Sequence, residues 1–115
     1  MKYLYLVYGE EDKLGELPES PAEKERLAGA EALMGSGRLI TWEPLASVQS
    51  ATTVRVRNGK VLISDGPFAE TREQLAGLYL TDARDLNEAI QVAAKIPAAR
   101  VGSVEVRPIR QLNGV

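Results

Sequence analysis

The run from Lys2 to Tyr8 is apolar or aromatic at nearly every position. A strand with one solvent-exposed face alternates apolar and polar residues, whereas an unbroken apolar strand is typical of burial on both faces. Alternate residues share a face, so both sides of this strand are apolar: Tyr3, Tyr5 and Val7 lie on one side, and Leu4, Leu6 and Tyr8 on the other. The fold must therefore cover its first strand with two different layers.

A helix is predicted in the first third of the chain. Ser20, Pro21 and Glu23 supply an N-cap, a proline at the first helical position and a capping box. We expect this helix to end near Met34, before a Gly-Ser-Gly stop. The polar segment 10–19 that precedes it contains glycine and proline, and is predicted to be a loop.

A second helix is predicted from Asp85 to Ile96. Asp85 and Glu88 repeat the capping box, and Pro97 ends the helical pattern. The apolar face of this helix is predicted to contain Leu86, Ala89, Ile90, Ala93 and Ile96.

The remaining segments read as strands. Residues 53–64 form the clearest hairpin, because Asn58-Gly59 suits the two positive φ angles of a type I′ turn. Further strands are predicted at 38–45, 76–81 and 101–109. Without the hairpin the order is βαββαβ, which predicts an α+β fold of ferredoxin-like type with both helices on one face of an antiparallel sheet. The other face would be a large exposed apolar patch on a monomer, so we expect a homodimer to cover it.

The composition fits one domain, residues 1–115, with 44% hydrophobic and 26% charged residues. The chain has no His and no Cys, which removes the commonest general base, thiolate nucleophiles, disulfides and Cys-based metal sites. No phosphate, dinucleotide or metal-binding motif is present. We therefore expect neither a cofactor nor a metal.

Charge and hydropathy restrict the partners. A formal net charge of -2 supplies no strong positive field that would attract nucleic acid. We therefore interpret the basic residues of the hairpin as a solvent-exposed strand face rather than a nucleic-acid-binding surface; they are Arg55, Arg57 and Lys60. The first apolar run is too short for a signal peptide, and no apolar stretch of about 18 residues occurs. We expect a cytoplasmic protein that binds neither membrane nor, directly, nucleic acid.

The segment 64–77 is the first candidate for chemistry. Asp-Gly-Pro reads as a turn, and it places Asp65 at a strand end beside Phe68. A partly desolvated carboxylate would suit a general acid or base, whereas a turn former would accept backbone N–H bonds instead; the residues alone favour the turn former. Phe68 is interpreted as a core anchor that fixes the loop, with ligand stacking as the alternative.

The motif 65–71, Asp-Gly-Pro-Phe-Ala-Glu-Thr, together with the opening 1–9 and the closing 102–109, resembles the YCII-related proteins of the DGPF type. The resemblance implies a dimeric α+β barrel, whose sheets pack face to face across a two-fold axis. It also implies a His-Asp centre for the wider group, from which this chain departs because it has no His. The family mostly lacks an established reaction. Related members are similar to proteins encoded beside alternative sigma factors, so the resemblance also implies a transcription-linked role.

Two hypotheses of function follow. The first is a homodimer that binds a small organic molecule in a cleft bordered by the Asp65 loop, with Asp65 as acid or base in lyase- or isomerase-like chemistry. Candidate ligand-binding residues are Phe68, Arg72, Tyr3, Tyr5, Tyr79 and Arg107. The tyrosines are more simply core or dimer-interface residues, and Arg107 either lines a cleft or pairs with neighbouring charges. The second hypothesis is a non-enzymatic binding or regulatory module linked to transcription.

Overall fold

The computed structural model describes residues 1–16 and 39–112, and the helix predicted from Ser20 to Met34 lies outside them. Within these ranges the strands and α-helices are, in chain order, β1 (Lys2–Gly9), α1 (Glu11–Gly15), β2 (Leu39–Pro44), β3 (Thr52–Arg57), β4 (Lys60–Asp65), β5 (Gln74–Asp82), α2 (Leu86–Lys95) and β6 (Ser103–Pro108). Short 3₁₀ helices lie at Val48–Ser50 and Pro97–Arg100.

Four of the strands form one antiparallel sheet in the order β2-β5-β1-β6, and β3 and β4 form a separate two-stranded sheet. The two central strands, β1 and β5, are joined along their whole length from Lys2↔Asp82 to Gly9↔Gln74. This arrangement confirms the predicted α+β class and is consistent with a ferredoxin-like fold. The hairpin is an addition to that sheet, as predicted.

The hydrophobic core lies between the sheet and α2. Tyr5 and Ala89 are fully buried and Ile96 is 1% exposed. The predicted helix face was partly wrong, since Leu86 and Ile90 are about half exposed, at 50% and 49%. The helix is turned so that Val92, rather than Ile90, completes the stripe, because residues three and four apart share a face.

The predicted turn of the hairpin and the predicted N-cap of α2 are both confirmed. Asn58 and Gly59 have φ angles of 51° and 76°, as a type I′ turn requires. The Asp85 side chain accepts the Glu88 N–H at 2.9 Å, and the Glu88 carboxylate accepts the Arg84 N–H at 2.9 Å. The two positive φ angles fix where the hairpin turns, and the two hydrogen bonds fix where α2 begins.

The loop predicted at 10–19 was wrong at its start, because Glu11–Gly15 is α1. Two acidic residues in its first turn stabilise this helix, because their negative charges lie at the positive end of the helix dipole. The Glu11 carboxylate also accepts the Val48 N–H at 2.6 Å and the Ser47 hydroxyl at 3.0 Å. That support comes from a segment 36 residues away, so a local pattern could not indicate it.

The backbones of Gly102 and the end of β1 lie in direct contact. A Cβ atom at Gly102 would overlap the Tyr8 carbonyl oxygen and lie 3.1 Å from the Gly9 Cα. We expect Gly102→Ala to lower the free energy of unfolding by roughly 1–3 kcal/mol, because backbone cannot yield as a side chain does. Urea unfolding measures this difference.

Gly15→Ala is the matched control, since a Cβ at Gly15 would meet nothing within 4 Å. Its free energy of unfolding should stay within about 0.5 kcal/mol of the parent value. Equal stability of the two variants would contradict the close approach at Gly102.

Candidate functional site

The face of the main sheet opposite α2 carries an apolar stripe, which we call the open face. Register places Leu4 beside Leu80 and Leu6 beside Leu78. All four leucines are partly exposed, although they lie on the two central strands. The described helices therefore leave an apolar surface accessible at the middle of the sheet.

Polar groups line both edges of the open face. On β6, Arg107, Glu105 and Ser103 lie opposite Leu4, Leu6 and Tyr8 of β1 in register. The Arg107 Nε donates to the Glu105 Oε2 at 2.7 Å. On β2, the Thr41 hydroxyl donates to the Glu43 Oε2 at 2.9 Å, and these two residues lie opposite Leu80 and Leu78. The face thus has an apolar centre between two hydrogen-bonded polar rims, a composition typical of small-molecule sites.

The Asp65 turn is held by the base of the hairpin. Asp65 ends β4 opposite Thr52 and is exposed. Gly66 has a φ of 95°, its N–H donates to the Ala51 carbonyl at 2.7 Å, and its carbonyl accepts the Thr53 hydroxyl at 2.8 Å. The backbone after Asp65 is thus fixed by Gly66, while the expected bonds from backbone N–H groups to the Asp65 carboxylate stay a prediction.

Phe68 is not the core anchor that the sequence predicted, because its side chain is 79% exposed. Polar bonds hold the loop instead. The Gln74 Nε2 donates to the carbonyls of Ala69 at 3.2 Å and Thr71 at 2.8 Å. An apolar residue in a loop is anchored only where a surface covers it, and none of the described residues does so here.

The loop reaches the open face through Glu73. The Glu73 Oε1 accepts the Ser103 hydroxyl at 2.8 Å, and Ser103 lies opposite Tyr8 in register. The segment that follows the Asp65 turn therefore contacts β6 at the Tyr8 end of this face, and its role as the border of a ligand cleft stays a prediction. The alternation of residues along β1 predicts that Tyr8 lies on the open face. The contact between Glu73 and Ser103 could not be predicted in this way, because the two residues are 30 positions apart in the chain.

Arg72 lies at the same end of the sheet, near α1. The Lys13 ammonium is 2.9 Å from the Glu10 carboxylate. The hydrogen bond to Glu10 and its charge raise the pKa of Lys13, and the nearby positive charge of Arg72 acts in the opposite direction. Charges of both signs thus lie near Arg72, just before β5 begins.

The three candidate tyrosines lie on the helix side, away from Arg107. Tyr3, Tyr5 and Tyr79 are all buried. The Tyr5 hydroxyl accepts the Thr81 hydroxyl at 3.1 Å, and the Tyr79 ring stacks on Trp42 at 5.8 Å between centroids. This placement matches the core alternative, and their proposed role as ligand donors stays a prediction.

A separate open groove of about 510 Å³ lies at the far end of the sheet, lined by Met1, Lys2, Asp82, Ile109, Arg110, Gln111 and Leu112. Because β1 runs from Lys2 to Gly9 and the Asp65 loop meets its Gly9 end, the loop does not border this groove. Within the described ranges no group of three or more His, Cys, Asp or Glu residues could hold a metal ion. The described helices are also too short or too polar to cross a membrane.

Comparison with known proteins places these features in a family. The sequence profile described as "YCII-related domain" matches residues 1–113. An uncharacterised protein of Rhizobium meliloti (strain 1021) is 36% identical over 116 residues, which cover 95% of this chain and 92% of that protein. The similarity thus includes the Asp65 loop and the strands of the open face.

The burial of Tyr5 predicts a specific pH dependence. Burial raises the pKa of the Tyr5 hydroxyl above its ordinary value of 10.0, against a smaller lowering by the Thr81 hydrogen bond. The folded protein then keeps this proton above pH 10 while the unfolded chain releases it, so the free energy of unfolding falls as the pH rises through that range. In Tyr5→Phe the free energy of unfolding should decrease less above pH 10, because the variant has no hydroxyl proton to release at this position.

Urea unfolding of both proteins from neutral pH to about pH 11 measures the difference between the two curves. At neutral pH the variant should lose about 0.5–1.5 kcal/mol with the hydrogen bond to Thr81. Parallel curves above pH 10 would mean that the Tyr5 hydroxyl is solvated, and would return it to the ligand-binding candidates.

Proposed function

Since the chain belongs to the YCII-related domain family, we propose that it is a cytoplasmic homodimer whose open faces pack toward each other and enclose a site for a small organic molecule. The observation that carries this proposal is the apolar stripe of Leu4, Leu6, Leu78 and Leu80 between two polar rims. The similar protein from Rhizobium meliloti is uncharacterised, so the function has to be argued from the site itself.

The apolar surface of the open face supports the proposed dimer. Each buried leucine contributes about 1.5–3 kcal/mol relative to an exposed one, and the four leucines of the stripe are only partly buried in a single chain. A two-fold axis would bring the same stripe of a second copy against the first. The polar rims, already hydrogen-bonded within their own strands, would remain solvated at the edges of such an interface.

Arg107 argues for an anionic ligand. Its Nε is bound by Glu105, and within the described part of the chain its two Nη groups have no other partner. These groups can donate to a carboxylate in the paired geometry that guanidinium favours. The apolar stripe beside Arg107 would contact the hydrocarbon part of the same molecule, so the best class of ligand is a small carboxylic acid with an apolar body.

Asp65 is proposed as the acid or base if the ligand is a substrate. The contact of Glu73 with Ser103 supports this role, because it brings the Asp65 loop to the rim of the open face. A carboxylate can transfer a proton next to a carbonyl without a cofactor. Arg72 would orient the substrate or stabilise charge there.

The second candidate is a non-enzymatic binding or regulatory module, and the exposure of the Asp65 turn supports it. Asp65 and Phe68 are both exposed in the single chain, whereas proton-transfer groups are usually enclosed away from water. An exposed aromatic ring in a polar loop suits recognition of another protein. A transcription-linked role belongs to this candidate.

The dimer is tested at Leu6, in the centre of the open face. The parent protein should sediment at twice the 12.5 kDa mass of the chain, and Leu6→Asp should sediment as a folded monomer because a charge there would be buried without a partner. Leu86→Asp is the matched control, since Leu86 is half exposed on α2. A dimer that survives Leu6→Asp with unchanged affinity would contradict the interface.

The ligand class is tested with benzoate and its neutral counterpart benzamide. Benzoate should shift the backbone amide NMR signals of Leu4, Leu6 and Tyr8, with affinity reduced about tenfold or more in Arg107→Gln, because a charged hydrogen bond is lost. Benzamide should bind the parent protein more weakly. Shifts confined to other residues, or equal binding of the two compounds, would reject an anion site at Arg107.

Asp65→Asn separates the two candidates in the same sample. For an enzyme, the variant should bind benzoate normally but lose protein-dependent deuterium exchange at the carbon beside the carbonyl of short 2-oxo acids. Equal exchange in the parent and the variant would leave Asp65 without a role in proton transfer and favour the binding module.

A further inference from the structure

One face of the β3–β4 hairpin consists of aliphatic side chains that nothing in the described part of the chain covers. Val54 lies opposite Ile63, and Val56 lies opposite Val61. These four residues are 59%, 69%, 58% and 62% exposed, in that order. Two adjacent cross-strand pairs of β-branched residues make one continuous patch, which we call the hairpin patch, and monomers rarely expose large patches of this kind.

The hairpin needs a further surface to be stable. An isolated two-stranded hairpin is marginal in water at best, and β3 and β4 pair with no other described strand. The hydrogen bond at its base, from the Gly66 N–H to the Ala51 carbonyl, joins the two ends of the hairpin to each other. Because the valines and Ile63 contribute little while exposed, the packing that holds this arm must come from elsewhere.

Charge indicates what covers the arm. Residues 52–65 carry three basic side chains, Arg55, Arg57 and Lys60, against one acidic side chain, Asp65. This gives the hairpin a formal charge of +2, so the rest of a chain with 14 basic and 16 acidic residues carries -4. A cationic arm and an anionic body attract each other, and within the described part of one copy β3 and β4 pair only with each other. A second copy of the same chain offers the complementary charge.

We infer that the β3–β4 hairpin is a dimerisation arm, whose patch packs on a second copy of this chain and whose base contributes Phe68 to the site on that copy. The inference rests on the proposed homodimer and adds the exchange of arms. With a two-fold axis, each copy gives one arm and receives one. The open-face site is then built from both copies and is incomplete in either alone.

The exchange of arms would explain why the Phe68 side chain is exposed in a single copy. Phe68 follows the arm directly and is 79% exposed in one copy, although an aromatic ring gains most from burial. In the dimer its ring is covered by the partner, close to the border of the open face. The residue is then an anchor, as its type indicates, but in the other subunit.

The experiment compares two double variants by sedimentation equilibrium. Val56→Asp with Val61→Asp places two negative charges in the hairpin patch, and should weaken dimerisation about 100-fold or more because buried apolar contacts are replaced by unpaired charges. Leu86→Asp with Ile90→Asp is the matched control, since both residues are half exposed on α2. The control should dimerise like the parent protein.

A second measurement covers the case in which the hairpin of the variant fails to form. The parent protein is prepared with and without carbon-13 in its methyl groups, and the two samples are mixed through unfolding and refolding. Isotope-filtered NMR should then show contacts from the methyl groups of Val56 and Ile63, and to the Phe68 ring, that cross between copies. Contacts within one copy only would overturn the exchange of arms.

The outcomes separate this inference from the proposed function. A parent dimer that remains as tight in the hairpin variant, without contacts between copies at Val56, rejects the arm and leaves the open-face dimer standing. A parent protein that is monomeric at every concentration rejects both. A weakened hairpin variant with contacts between copies supports both.

Discussion

The apolar character of β1 on both of its sides is the constraint on which the rest of the structure depends. The strand lies at the centre of the sheet, paired with β5 on one edge and β6 on the other. One side, with Tyr3 and Tyr5, is buried under α2. The other side, with Leu4 and Leu6, is the open face. The core and the candidate site are therefore two sides of the same strand.

This sharing of a strand restricts what the candidate site of a chain without His or Cys can be made from. Its reactive groups are carboxylates, guanidinium groups and hydroxyls, which act in water only weakly unless a surface excludes solvent and orients them. The core under α2 fixes the backbone of β1, so the side chains on its reverse side are held in register with Ser103, Glu105 and Arg107. A single copy leaves these groups open to solvent, and the proposed second copy would enclose them.

Much of the fold could be predicted because its signals are local. The Asn58-Gly59 turn and the Asp85 cap are each encoded within a few residues, and each is found. The face of α2 that packs on the sheet was predicted less well, since periodicity defines a stripe but not its rotation. Strand parity placed Tyr8 on the open face, whereas the contact of Glu73 with Ser103 depends on the folded chain.

Three residues that the sequence predicts to be buried are exposed in the single chain. Phe68 is 79% exposed, and Leu86 and Ile90 of α2 are about half exposed. A small rotation of α2 explains the two helix residues, because Val92 takes their place against the core. Phe68 has no such local explanation, and it follows directly after the hairpin patch, whose four aliphatic residues are also exposed. A single cover over the arm and the turn that follows it would bury all five side chains together, which is the physical reason for proposing that a second copy provides that cover.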